Sequence, residues 1–253
     1  MAVSFDRVAG IYDATRWAGI PPEIMKKLLN TMKELSADCR TILDIGTGTG
    51  RFAEYFNDSG FNVMGIDVSL SMMAKAREKK LRNLLQADAH RLPFRDRTFD
   101  GAIMIHVLHL VRDWVQVVHE VSRVTRKVIV AEVEGGEGFS PRLRYLEVRQ
   151  EMGYPLDRFN DGEAGLRRLV PPAIVKLVGD YWTEVDVHEE IDSFDQRKSS
   201  VSWGIPAEVN NRIIKRLHSE NPEKTIQRRE IVEVVRWDPA QLRNVTGMGV
   251  ATT

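Results

Sequence analysis

The chain has 253 residues, enough for one large α/β domain or two small ones, of which one domain with insertions is expected, and carries 36 Lys+Arg against 36 Asp+Glu. Its formal net charge of zero excludes a global electrostatic pull toward nucleic acid or an anionic membrane, and its sole cysteine, Cys39, excludes an intrachain disulfide. The opening residues lack a basic stretch followed by an apolar one, and the longest nearly apolar run, Ala102 to Val111, is too short to cross a bilayer, so a cytoplasmic location is expected.

Taken in order, residues 4–16 place Phe5, Val8, Ile11 and Tyr12 at helical spacing, and Pro21-Pro22 opens a predicted helix from Glu23 to Leu35. The run Arg40 to Phe52, RTILDIGTGTGRF, comes next. A short β-branched and apolar stretch, Thr41 to Ile45, stops at Gly46, Gly48 and Gly50, and an amphipathic run begins: strand, glycine loop, helix. Glycines suit a backbone that must take positive φ or approach a ligand without a Cβ, so this turn can hold a nucleoside-bearing cofactor. The dinucleotide fingerprint G-x-G-x-x-G needs a third glycine where this chain has Arg51, which weakens an NAD reading.

A helix over Phe52 to Asn57 ends at Gly60, and Phe61 to Asp67 reads as a second strand, which completes a βαβ unit. Asp67 ends that strand on the side where open α/β sheets bind ligands. Its carboxylate can accept from both hydroxyls of a ribose, or cap the helix Ser69 to Lys80. A third strand, Leu81 to Gln86, leads into ADAHRLPF, residues 87–94, and a nearly all-apolar fourth, Thr98 to Ile105, has His106 at its carboxyl end. A helix through about Val124 and a fifth strand, Lys127 to Val133, come after it, closed by a glycine-rich break at 135–138. Beyond it, an arginine-rich helical cap is expected before Pro171-Pro172, then a helix over Ala173 to Tyr181, strands over Thr183 to Ile191 and Thr225 to Val235, and between these a helix over Ala207 to His218. The tail TGMGVATT is expected to fray.

The D-x-G-x-G-x-G run at Asp44 to Gly50 resembles motif I of class I S-adenosylmethionine (SAM)-dependent methyltransferases. FDRVAGIYDATR before it, and DAHRLPF after the third strand, resemble segments of the small-molecule, ubiquinone/menaquinone type of that family. The resemblance covers Ser4 to Val133 well and the remainder weakly. It implies a Rossmann-like seven-stranded sheet, mostly parallel with the last strand antiparallel, helices on both faces and a helical cap. It also implies a single domain, 1–253: lid and helix 1–39, cofactor core 40–133, cap 139–170 and sheet completion 171–236.

By the same resemblance Tyr12 and Arg16 face the methionine end of SAM, Asp44 lies near its ammonium group, and Gly46, Thr47, Gly48 and Gly50 form the turn. Asp67 and Val68 flank the ribose, and Asp88 and Ala89 meet the adenine. His106 borders the methyl and is the candidate general base, since imidazole titrates near neutrality. His106-x-x-His109 lacks a clear third ligand, so no metal is expected. The expected reaction is methyl transfer to a small organic molecule, with no nucleic-acid or membrane partner. The competing readings are an RNA or protein methyltransferase, or a non-catalytic SAM or S-adenosylhomocysteine binder.

Overall fold

The computed structural model describes residues 5–16, 20–156, 162–196 and 198–245. A 3-10 turn, Asp6–Val8, and the short helix α1, Tyr12–Arg16, precede α2, Pro22–Leu35, whose first residue is a proline that lacks only an N–H no helical carbonyl would have accepted. Strands and helices then alternate: β1, Thr41–Ile45; α3, Arg51–Asp58; β2, Asn62–Asp67; α4, Leu70–Glu78; β3, Leu84–Gln86; β4, Phe99–Met104; α5, Trp114–Val124; β5, Thr125–Glu137. The rest of the chain forms α6, Pro141–Glu151; α7, Gly162–Leu169; β6, Ile174–Asp186; α8, Val187–Asp195; α9, Ala207–Glu220; β7, Thr225–Trp237; and α10, Pro239–Leu242.

The strands make one seven-stranded sheet in the order β3-β2-β1-β4-β5-β7-β6. β1 runs parallel to β2 and β4, β3 to β2 and β5 to β4, whereas the last strand in the chain, β7, is antiparallel. The sheet is thus the Rossmann-like arrangement that the sequence implied. Its register aligns the strand ends, for Ile45 pairs with Ile66 on one side and Met104 on the other. The carboxyl ends of β1, β2 and β4 are therefore level, and the residues just after them share one edge of the sheet.

The chain divides into two compact units, one formed by Met1–Glu134, Arg158–Val178 and Val232–Thr253, the other by Gly135–Asp157 and Gly179–Ile231. The first is cored by the sheet. All six residues of β4 are buried, as a parallel strand covered on both faces requires, and Leu43, Met104, Ile129, Val118 and Trp237 join one apolar cluster. In the second, Tyr145 and Val148 of α6 pack with Ile191 and Phe194 of α8 and with Ile213 and Leu217 of α9. Each such side chain, removed from water, contributes about 1.5–3 kcal/mol.

Three expectations are corrected. The stretch from Ala173 to Tyr181 is not helical: β6 runs from Ile174 to Asp186, because Ile174, Val175, Val178, Tyr181, Trp182 and Thr183 are β-branched or aromatic and favour a pleated backbone. The strand expected to reach Ile191 stops at Asp186, whose side chain accepts from Glu189 N at 2.9 Å and so caps α8. The glycine-rich segment does not break β5, which continues to Glu137. Gly136 is there because a Cβ would lie 2.2 Å from the Arg229 carbonyl oxygen. Gly136→Ala is accordingly expected to lower stability by about 1–3 kcal/mol in urea unfolding, the cost of overpacking against backbone; an unchanged midpoint would show that β7 yields freely. The predicted tail, 246–253, lies outside the described residues.

Candidate functional site

A cleft of about 640 Å³, counting space open to solvent, lies at the carboxyl ends of β1, β2, β3 and β4. Gly46, Gly48, Asp67, Val68, Ala89 and His106 line it, and Tyr12 closes it from the N-terminal segment. Seven residues singled out from the sequence, drawn from five separate segments, thus meet in one cavity.

The glycine loop is built as the spacing demanded. Gly46, Gly48 and Gly50 all have positive φ, at 66°, 54° and 80°. Their surroundings differ. A Cβ on Gly48 would stand 3.2 Å from Met72 Cε of the cleft wall, whereas one on Gly50 would strike Leu81 and Ala76, so the third glycine serves the packing of α3 and not the cavity. Gly48 N donates to Asp67 Oδ2 and Ser69 N to Asp67 Oδ1, both at 2.8 Å. Asp67 therefore ties the loop to the end of β2, and each of its oxygens keeps a second lone pair. Burial pushes its carboxyl above the usual range, against the pull of the Ser69 and Gly48 amides.

Asp44 lies beneath the loop, buried, and accepts from Thr47 Oγ1 at 2.7 Å. Burial, together with the neighbouring charge of Asp67, pushes its carboxyl up to about 7. The N-terminal segment is pinned to the same region by two acids. Asp6 Oδ1 accepts from Ser69 Oγ at 2.6 Å and Ser71 N at 3.0 Å; Asp13 accepts from Thr49 Oγ1 at 2.5 Å and Lys79 Nζ at 2.8 Å. Phe5 and Tyr12, edge to face at 5.7 Å, then stand as cleft wall. The side chain of Arg16 lies outside the described residues.

Asp88 is placed differently. Its carboxylate accepts from His90 N at 3.0 Å and approaches His90 Nδ1 at 2.6 Å, and it is absent from the cleft lining, which Ala87 and Ala89 supply instead. Three of the cap arginines are spent on the protein itself: Arg144 pairs with Glu220 and Glu147, buried Arg149 donates to the carbonyls of Tyr154 and Val201, and Arg167 pairs with Glu233. Arg158 lies outside the described residues.

At the end of β4, His106 adopts φ 53°, a left-handed conformation rare for a residue with a side chain. The chain is held in it by Glu163 of α7, whose buried Oε1 accepts from Val107 N at 2.8 Å and Leu108 N at 3.0 Å. Burial pushes the Glu163 carboxyl up, but His109 and those amides prevail and hold it below its usual range. His106 Nε2 then stands 3.2 Å from Glu132 Oε2 and 3.5 Å from Glu134 Oε1. Sequence reasoning missed all three glutamates. Glu132 and Glu134 carried a signal, two acids at alternate positions and so on one face of the fifth strand; Glu163, more than fifty residues beyond His106, carried none.

Residues 43–128 match the methyltransferase domain family. Over 101 residues the chain is 37% identical to the malonyl-[acyl-carrier protein] O-methyltransferase of Pectobacterium atrosepticum, covering 40% of this chain and 38% of that protein. It is 28% identical over 146 residues to the demethylmenaquinone methyltransferase of Renibacterium salmoninarum, covering 52% and 58%. The chain thus spans roughly two fifths to three fifths of the length of these curated relatives. The crystal structure of BH2331 from Bacillus halodurans C-125 has the same fold, with a TM-score of 0.57 at 16% identity over 87% of this chain and 99% of that one. Among the described residues no helix is long and apolar enough to cross a membrane. The glycine turn, Asp67 and His106 all lie inside the matched region, so the likeness to the methyltransferase domain family falls on the stretch that lines the cleft.

Proposed function

We propose that the chain, as one domain over 1–253, binds SAM in the strand-end cleft and transfers its methyl group to a nucleophilic atom of a small organic molecule by in-line displacement. The observation that carries this is the bond between Gly48 N and Asp67, which sets a backbone free of side chains beside a half-buried carboxylate with acceptor capacity to spare, a cradle fitted to a ribose. Bound SAM supplies the methyl and a neutral thioether leaving group, so the residues of the chain have three tasks: hold the partners in line, exclude water and deal with the acceptor's proton.

Asp67 holds the ribose hydroxyls, and Asp44 offers charge to the ammonium group. Ala89 contributes backbone beside the adenine. Asp88, engaged with His90, reaches the adenine amino group only by exchanging that partner. Phe5 and Tyr12 shield the cleft from water. His106 stands at the acceptor end, with its Nε2 turned to Glu132 and Glu134, so it handles the acceptor's proton as part of that cluster and not alone.

The two curated relatives are named for methyl transfer to malonyl-[acyl-carrier protein] and to demethylmenaquinone, which supports the reaction class and leaves this chain's acceptor to be identified. Thermal unfolding tests the cofactor. SAM and S-adenosylhomocysteine at a hundredfold excess over Kd should stabilise the protein by about 2.7 kcal/mol, while NAD leaves it unmoved. A shift with NAD alone would overturn the reading. Labelled methyl transfer to a metabolite panel, to total RNA and to protein then separates small-molecule from macromolecular acceptors, and transfer to none of them would favour a non-catalytic binder.

A further inference from the structure

The contacts of His106 are unusual for a hydrogen-bonded histidine. One imidazole nitrogen carries at most one N–H, yet Nε2 faces carboxylate oxygens of both Glu132, at 3.2 Å, and Glu134, at 3.5 Å. Both distances exceed the 2.7–2.9 Å or so of a charge-assisted N–H···O bond. Glu132 is the more telling partner. It is 3% exposed, and neither of its side-chain oxygens has a hydrogen-bond partner within the protein. A carboxylate buried without a hydrogen bond, with only the His106 imidazole 3.2 Å away, is poorly compensated for its desolvation, which a folded protein tolerates where something else completes the site.

A cation would complete it. Around an ion with ligand bonds of about 2.0–2.2 Å, neighbouring donor atoms stand about 3.0 Å apart in octahedral and about 3.4 Å apart in tetrahedral coordination. The separations from Nε2 match this spacing, and the three donor atoms lie within 4.8 Å of one another. Two carboxylates and a neutral imidazole also balance a double positive charge. The left-handed backbone of His106, held by Glu163, then has a purpose, since it fixes where the imidazole points. We infer that His106 Nε2, Glu132 and Glu134 bind a divalent transition-metal ion at the acceptor end of the cleft.

The mixed nitrogen and oxygen set suits Mn²⁺, Fe²⁺ or Zn²⁺ better than thiophilic ions. Three protein ligands leave coordination positions open. His106 lines the cleft, so an oxygen-bearing molecule in the cavity can reach an ion held at its imidazole. Such an ion would lower the pKa of a hydroxyl bound to it, which is the task that a lone histidine was expected to perform. The inference goes beyond the methyltransferase reading and is tested without cofactor or substrate.

The full chain, stripped with a chelator, is titrated with Mn²⁺ by electron paramagnetic resonance and with Zn²⁺ by calorimetry. One ion per chain with micromolar or tighter affinity is expected for at least one of them. Glu132→Gln, Glu134→Gln and His106→Gln should each weaken binding tenfold or more, and the ion should raise the Tm of the wild type but not of Glu132→Gln. Should Glu132→Gln fail to fold, the half-exposed Glu134→Gln carries the test alone. His218→Gln, in a surface pair of histidines with ring centroids 4.9 Å apart, controls for adventitious binding and should match the wild type. Absence of stoichiometric binding of both ions, undiminished affinity in Glu132→Gln and Glu134→Gln, or loss of binding in His218→Gln would each overturn the inference.

Discussion

Replacing Asp67 by alanine is expected to weaken SAM binding by about 2–4 kcal/mol, roughly 30- to 1,000-fold. Two charge-assisted hydrogen bonds to the ribose disappear, and the ligand's hydroxyls are left facing apolar wall. The same carboxylate accepts from Gly48 N and Ser69 N, so the variant also loosens the glycine loop, and a fall in Tm alone would not prove contact with the ligand. Asp67→Asn separates the two roles. Its amide keeps one acceptor oxygen for the backbone but presents N–H groups where the other oxygen was, so the loop is partly retained and the ribose still rejected. Calorimetry with S-adenosylhomocysteine, beside Tm, reads both quantities. Affinity within a factor of three of wild type in either variant would mean that Asp67 serves only the loop and the start of α4.

What the sequence made legible had a short-range signature. The turn at Gly46 to Gly50 joins adjacent elements, and each of the first four strands ends in residues whose chemistry is visible on the spot; parallel pairing in level register then brings those ends together without further instruction. Where a choice depended on distant partners, local pattern misled. Gly135 and Gly136 look like a break until Arg229, nearly a hundred residues on, occupies the space a Cβ on Gly136 would need. Pro171-Pro172 suggested a helix start, yet the β-branched and aromatic residues beyond them pair into the sheet, and the helix begins only where Asp186 caps it. Asp88 was read by its place in a run and not by its neighbour His90, two residues away, which the backbone turns back onto it. The acceptor end was the least legible part. His106 announced itself by position, whereas its backbone geometry depends on Glu163, in a helix that local periodicity could not connect to β4.

Asp44 should give cofactor affinity and stability opposite dependences on pH. In the unfolded chain its carboxyl ionises near 4, whereas burial in the fold pushes it up to about 7. The folded state thus holds the proton more tightly. The stabilisation this carboxyl contributes is fully present below pH 4 and is lost as pH rises through 7, a cost on the order of a few kcal/mol at pH 8. Asp44→Asn, which keeps an oxygen to accept from Thr47 Oγ1, should therefore raise the stability of the ligand-free protein at pH 8 and change it little at pH 4. Binding runs the other way. An ammonium group beside Asp44 favours the ionised carboxylate, so SAM affinity in the wild type should fall by up to about tenfold for each pH unit below 7. Calorimetry at pH 6 in buffers of different ionisation enthalpy should show close to one proton released on binding. In Asp44→Asn that release should vanish and affinity at pH 8 should drop by about 1.5–3 kcal/mol, the worth of a charged hydrogen bond. An affinity flat from pH 8 to 5.5, or an Asp44→Asn protein that binds SAM as tightly as wild type at pH 8, would remove Asp44 from the cofactor site and leave it as the buried partner of Thr47.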